Sequence, residues 1–154
     1  MNGQNKGIYI LELFADKDFT ISAKKFIGVT FPKGFYYYIG SAQKNLKSRI
    51  ERHHKKEKII HWHIDHLTTH ESINLTNTFI IPEAEKNIEA EIANNFVLYF
   101  DAQIVVNGFG NSDTKGTKTH LFYKIDPIHI SKFDIFLTQT YIPKKTNYKP
   151  IKFK

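Results

Sequence analysis

The chain has 154 residues, 41% of them hydrophobic, and a formal net charge of +7. These values fit one globular domain with a sizeable core and exclude an unfolded chain. The lack of cysteine excludes disulfide frameworks and thiolate zinc sites and suits a reducing compartment, while the positive excess favours a polyanionic partner.

In chain order, MNGQNKGIYILELF has neither a charged start nor a small-residue cleavage site, so no secretory signal is expected. No apolar run approaches the roughly 18 residues of a membrane span, and a cytoplasmic location is expected. Gly7 to Phe14 reads as a strand covered on both sides, with Ile8 and Ile10 facing one way and Tyr9, Leu11 and Leu13 the other. A second strand is expected over Phe26 to Phe31. It leads through the Phe31-Pro32-Lys33-Gly34 turn into a third strand, Phe35 to Ile39. Gly40-Ser41-Ala42 ends that strand with small residues, where another backbone or a ligand can come close.

From Gln43 to Glu57 the period becomes helical, with Leu46, Ile50 and His53 on one stripe. Lys44, Lys47, Arg52, Lys55 and Lys56 give this helix a basic face that could lie along phosphates, or be a solvated surface. His61 to His70 reads as a short helix or turn holding Trp62, Ile64 and Leu67 in the core. Ile73 to Ile81 reads as a strand, and Pro82 sits where a helix would begin, with Ile88, Ile92 and Phe96 facing the core. A glycine-rich loop, Asn107 to Asp113, precedes a last strand, His120 to Ile125. The pattern weakens beyond Asp126, and a lysine-rich tail closes the chain. The expectation is an α/β (α+β) domain over 1–125, a small antiparallel three-stranded sheet flanked by helices, with 126–154 as a basic extension rather than an independent domain.

Gly7-Ile8-Tyr9 and Tyr38-Ile39-Gly40, followed by Arg49 and, one turn later, His53, resemble the GIY-YIG nuclease superfamily. The resemblance is closer to one uncharacterised branch of it, a domain of unknown function sometimes attached to endonuclease III-like proteins. That branch is marked by FPxGxYxYxGSA, HWHIDxL and GFGxSD…HLFY. This chain carries Phe31-Pro32-Lys33-Gly34, His61-Trp62-His63-Ile64-Asp65, Gly108 to Asp113 and His120-Leu121-Phe122-Tyr123, in order, within residues 7–124. Where the branch commonly has cysteines, this chain has Ala90 and Thr114.

The resemblance implies a divalent-metal-dependent endonuclease that hydrolyses DNA phosphodiester bonds. Arg49 would clamp phosphate with its planar fork, Tyr9 would help activate water, Tyr38 would position water or phosphate, and His53 would supply charge nearby. One Mg²⁺ or Mn²⁺ would be held by Glu91, with Glu89 as the competing register. His61, His63, Asp65, Asp113 and His120 match the branch pattern as accessory positions. Without the resemblance, Tyr9 and Tyr38 read as partly buried strand tyrosines and Arg49 and His53 as an exposed helical pair. Two rival functions stand beside the nuclease: a non-catalytic nucleic-acid-binding module on the same fold, and a zinc-dependent interaction domain using His63, His66 and His70.

Overall fold

The computed structural model describes residues 5–111, 116–140 and 150–151. Its centre is β1 (Gly7–Ala15), paired antiparallel with β2 (Gly34–Ala42) on one side and β3 (Ile73–Pro82) on the other. The strand β4 (Leu121–Lys124) extends the sheet beyond β2. A two-residue strand, Pro150–Ile151, pairs with β3 at the far edge. The α1 helix (Leu46–His54) and the single-turn α2 (Asp65–Thr68) follow β2; α3 (Asn87–Tyr99) follows β3, and α4 (Ile130–Thr140) follows β4. Among the described residues no helix is long and apolar enough to cross a membrane.

Period-2 alternation gives the sheet two buried faces, because successive side chains on a strand point opposite ways. Tyr9, Leu11, Leu13, Tyr36 and Tyr38 pack against Leu46 and Ile50 of α1 and against Ile64, Leu67 and Phe109. On the other face Ile8, Ile10, Tyr37 and Ile39 meet Ile92 and Phe96 of α3 and Phe133, Phe136 and Leu137 of α4. Each such side chain removed from water contributes about 1.5–3 kcal/mol. Glu12 is buried on this second face and fully bonded: it accepts from the Tyr37 hydroxyl at 2.6 Å, and from Thr76 Oγ1 and Asn77 Nδ2 at 2.7 Å each. A register shift in β1 against β3 between Glu12 and Leu13 leaves Thr76 as the extra residue, its hydroxyl turned to that carboxylate. The Tyr37 oxygen also accepts the Ile128 N–H at 2.8 Å, which ties the approach to α4 to the sheet.

Three sequence expectations are corrected. Phe26 to Phe31 is not a strand: Lys24–Phe26 is a 3-10 turn, Gly28 takes φ +86°, and only Phe31 pairs, with Phe19. The sheet therefore has four main strands, and β1 and β2 pair directly. Pro82 ends β3 instead of starting a helix, at a strand end where its missing N–H is tolerated. Glu83 then turns the chain with φ 61°, and α3 begins at Asn87. The stretch beyond 125 contains α4, whose Phe133, Phe136 and Leu137 complete the second core.

Candidate active site

The pairing of β1 with β2 sets Tyr9 opposite Gly40 and Leu11 opposite Tyr38. Tyr9 and Tyr38 therefore share a face as diagonal neighbours, and the Tyr9 ring lies over Gly40. A Cβ built on Gly40 would stand 2.6 Å from both Cζ and the hydroxyl oxygen of Tyr9. The glycine of one tripeptide is thus the seat for the tyrosine of the other. Gly40→Ala should displace that ring and cost about 1–3 kcal/mol by overpacking, read as a lower urea midpoint at unchanged slope.

The Tyr9 hydroxyl is 2.9 Å from His53 Nε2. His53 falls on the buried stripe of α1, one turn beyond Ile50, and is 1% exposed. Burial, reinforced by Lys58 and opposed by Asp65, pushes its pKa down to about 3. It is therefore neutral at pH 7. Burial also holds the Tyr9 phenol well above its ordinary range, while the Arg49 guanidinium beside it pulls the other way. His53 Nδ1 is buried without a partner. An orphaned buried acceptor costs less than an orphaned N–H, so the proton belongs on Nε2, donating to the Tyr9 oxygen.

Arg49 Nη1 donates to the Ser41 carbonyl at 2.8 Å, and Ser41 Oγ donates to Glu89 Oε1 at 2.5 Å. Glu89 Oε2 is 2.8 Å from Nδ1 of the fully buried His120, and that nitrogen is also 3.1 Å from the Ile39 carbonyl. With two acceptors beside it, His120 Nδ1 carries the proton. Tyr9, Tyr38, Ser41, Arg49 and Glu89 line one cleft of about 460 Å³. Its rim adds Gln43, His61, Trp62, His63 and Lys86, and Gly110, one of the two glycines at positive φ in the 108–110 turn, closes it against Tyr38. His63 Nδ1 accepts the Gly110 N–H at 3.0 Å.

The expected site residues divide by position. Tyr9, Tyr38, Arg49, His61 and His63 line the cleft, with His53 directly behind Tyr9 and His120 behind Glu89. Of the two expected metal carboxylates, Glu91 and its alternative Glu89, Glu89 is buried in the cleft, while Glu91 is exposed and does not line it. Two residues turn a helix by about 200°, so the face that carries Ile92 and Phe96 into the core carries Glu89 and not Glu91. Asp65 is buried outside the cleft. Lys44, Lys47 and Lys55 are exposed as a basic face requires. Arg52 is instead bonded to Asp65, and the Lys56 ammonium donates to the carbonyls of His70, at 2.8 Å, and Ile73. Asp113 and the lysines of the C-terminal tail lie outside the described residues. Ser41, Gln43 and Lys86 were not foreseen as site residues; only the small-residue run at Gly40-Ser41-Ala42 hinted at the first.

Glu89 fits a hard divalent cation. A carboxylate offers about four lone-pair positions, and Ser41 and His120 occupy two. Mg²⁺ characteristically takes one or two protein carboxylates and fills its shell with water and substrate phosphate. Zinc fits the histidines less well, because α2 spans only four residues and gives them no common helical face. Among the described residues no group of three or more His, Asp or Glu side chains is arranged to hold a metal.

Fold and cleft define the class: a small mixed α/β domain whose antiparallel sheet carries a polar, tyrosine-lined cleft at one end. The chain belongs to the family described as domain of unknown function DUF123, whose model matches residues 8–137 and so takes in the sheet core, the cleft and most of α4. Searches of curated proteins and of solved structures return no match.

Proposed function

We propose that the chain is a divalent-metal-dependent endonuclease that hydrolyses DNA phosphodiester bonds with GIY-YIG chemistry. The observation that carries this reading is that one cleft holds a buried tyrosine, an arginine and a carboxylate, supplied by β1, α1 and α3. Phosphodiester hydrolysis needs a proton acceptor for the attacking water, a clamp on the phosphoryl oxygens and a counter-charge. The Tyr9 oxygen, after its own proton has passed to solvent through the cleft, accepts the proton of the attacking water as phenolate, leaving hydroxide to attack phosphorus. His53 Nε2–H and the Arg49 guanidinium both favour that anion, against the cost of burial. Arg49 holds the phosphoryl oxygens by its remaining N–H groups, and Tyr38 orients the phosphate or the water. Glu89 would hold the divalent ion, fixed in its rotamer by Ser41 and His120; when bound, the ion supplies charge stabilisation for the phosphate and the leaving oxygen. Lys44, Lys47 and Lys55 draw the DNA backbone to the cleft.

The test is nicking of supercoiled plasmid with Mg²⁺ or Mn²⁺ and with chelator. Tyr9→Phe and Arg49→Ala, each confirmed folded, should lower the metal-dependent rate by at least about 10²-fold, the scale of losing one acid–base or oxyanion group. Binding of duplex, branched and single-stranded DNA without cutting of any would replace this reading with the non-catalytic binding module.

A further inference from the structure

The HWHID segment borders the cleft, yet the chemistry above leaves most of it unused. Its centre is Trp62. The Arg49 guanidinium carbon lies 5.0 Å from the indole centroid and that of Arg52 lies 4.5 Å away. Arg52 has little freedom of its own. Its Nη1 and Nη2 donate to Oδ1 and Oδ2 of Asp65 at 2.8 and 2.9 Å, and Nη2 also reaches the Ile59 carbonyl at 3.0 Å. Asp65 is fully buried, and its Oδ2 accepts the backbone N–H groups of both His61 and Trp62 at 2.9 Å. One carboxylate therefore fixes the Trp62 backbone and, through Arg52, a cation on its ring. Burial alone would raise the Asp65 pKa, but these donors outweigh it and hold the carboxyl below its usual range.

We propose that Trp62, locked by Asp65 and Arg52, is the platform that holds the Arg49 guanidinium in its phosphate-clamping position. A long arginine at the wall of an open cleft has many rotamers. The aromatic face and the Ser41 carbonyl, 2.8 Å from Nη1, select one. HWHID is then a positioning element, and Arg52 serves the site from behind rather than touching DNA phosphate.

This inference rests on the reading of Arg49 as the phosphate clamp, and its test separates the two. Single-turnover cutting would be measured beside DNA affinity in chelator across a range of salt. Trp62→Leu and Arg52→Gln should slow cutting by about 10–100-fold, as small misplacements of a positioned group do. Affinity should stay within about twofold, and the slope of log affinity against log salt should not change. Trp62→Phe, which keeps an aromatic face, should cut within about threefold of wild type. A slope reduced by about 0.9 in Arg52→Gln would mark a direct phosphate contact and overturn the proposal. So would Trp62→Leu binding DNA as poorly as it cuts, the signature of a base-stacking surface.

Should the wild-type chain cut nothing, the nuclease reading falls while the platform remains measurable. Trp62 is the only tryptophan in the chain, so intrinsic emission reports its ring alone. Thymidine 3′,5′-bisphosphate should alter that emission in wild type, have no effect in Arg49→Ala, and at saturation give a smaller change in Arg52→Gln, where the Arg49 guanidinium is no longer held against the ring. Equal responses in wild type and Arg52→Gln, or none in wild type, would overturn the proposal.

Discussion

Glu89→Gln should abolish divalent-dependent nicking, by about three orders of magnitude, whereas Glu91→Gln should leave the rate within about twofold. Both carboxylates belong to α3, but only Glu89 is in the cleft. The amide keeps the shape of the side chain and removes the charge that holds a hard cation. It also turns an NH₂ toward one of two donors, Ser41 Oγ or His120 Nδ1, at a stability cost of about 1–3 kcal/mol. Folding must therefore be checked alongside. A second readout does not depend on cutting. Mn²⁺ bound to the folded chain should raise Tm in a concentration-dependent way, and that rise should vanish in Glu89→Gln and persist in Glu91→Gln. The opposite pattern would return the metal to Glu91.

The second large effect is on acid stability. His53 is neutral in the fold, with its pKa at about 3 against an ordinary 6.5. Between these values the unfolded chain binds a proton that the folded chain does not. Stability is thus complete above about pH 6.5 and declines as pH falls toward 3, at about 1.4 kcal/mol per unit, several kcal/mol in all. For a domain stable by about 5–15 kcal/mol, that is a substantial share. The cause is local: a ring 1% exposed, faced by Lys58, Arg52 and Arg49, with Asp65 as the opposing charge. Asp65 adds a separate loss at lower pH, since its folded pKa lies below 3.8. His53→Gln retains an N–H for the Tyr9 oxygen and does not titrate. It should therefore reduce the dependence of the urea midpoint on pH from 6.5 to 4, leaving the smaller share of His54 and His63, whose burial also lowers their pKa values, and the fall below that range. A variant with the wild-type slope would place the acid sensitivity elsewhere.

What could be read in the sequence follows from how local each signal is. The β1 alternation and the Leu46, Ile50, His53 stripe depend on neighbours in the chain, and each lies where the pattern puts it, whereas β2 runs past the expected stop at Gly40 to Ala42 because its pairing with β1 extends to Gly7. The Ile92 and Phe96 stripe of α3 was legible and by itself puts Glu89 rather than Glu91 on the buried side; the preference for Glu91 came from the resemblance. The start of α3 was not legible, since it is set by pairing of Gly7 with Pro82, a contact between residues far apart in sequence. The basic helix face mixed side chains with different fates for the same reason. Nothing near Arg52 or Lys56 announces that Asp65, or the carbonyls of His70 and Ile73, will occupy them. The α4 helix was the opposite failure. Ile130, Phe133 and Leu137 do recur at helical spacing, but interspersed polar residues and the nearby basic tail obscured them. Glu12 had no signal at all, since a strand carboxylate satisfied by Tyr37, Thr76 and Asn77 looks in sequence like any surface acid.

Tyr9, Arg49 and His53 belong to the layer built with α1, whereas Glu89 rides on the helix that packs with α4 against the opposite face of the sheet. Ser41, at the end of β2, is bonded to both: its carbonyl accepts from Arg49 and its hydroxyl donates to Glu89. The fold therefore works as an AND gate on the proposed hydrolysis. A chain with one layer docked holds the clamp without the counter-charge, or the reverse. Because α3 and His120 follow β1, β2 and α1 in sequence, the proposed counter-charge is completed only after the residues of the proposed clamp.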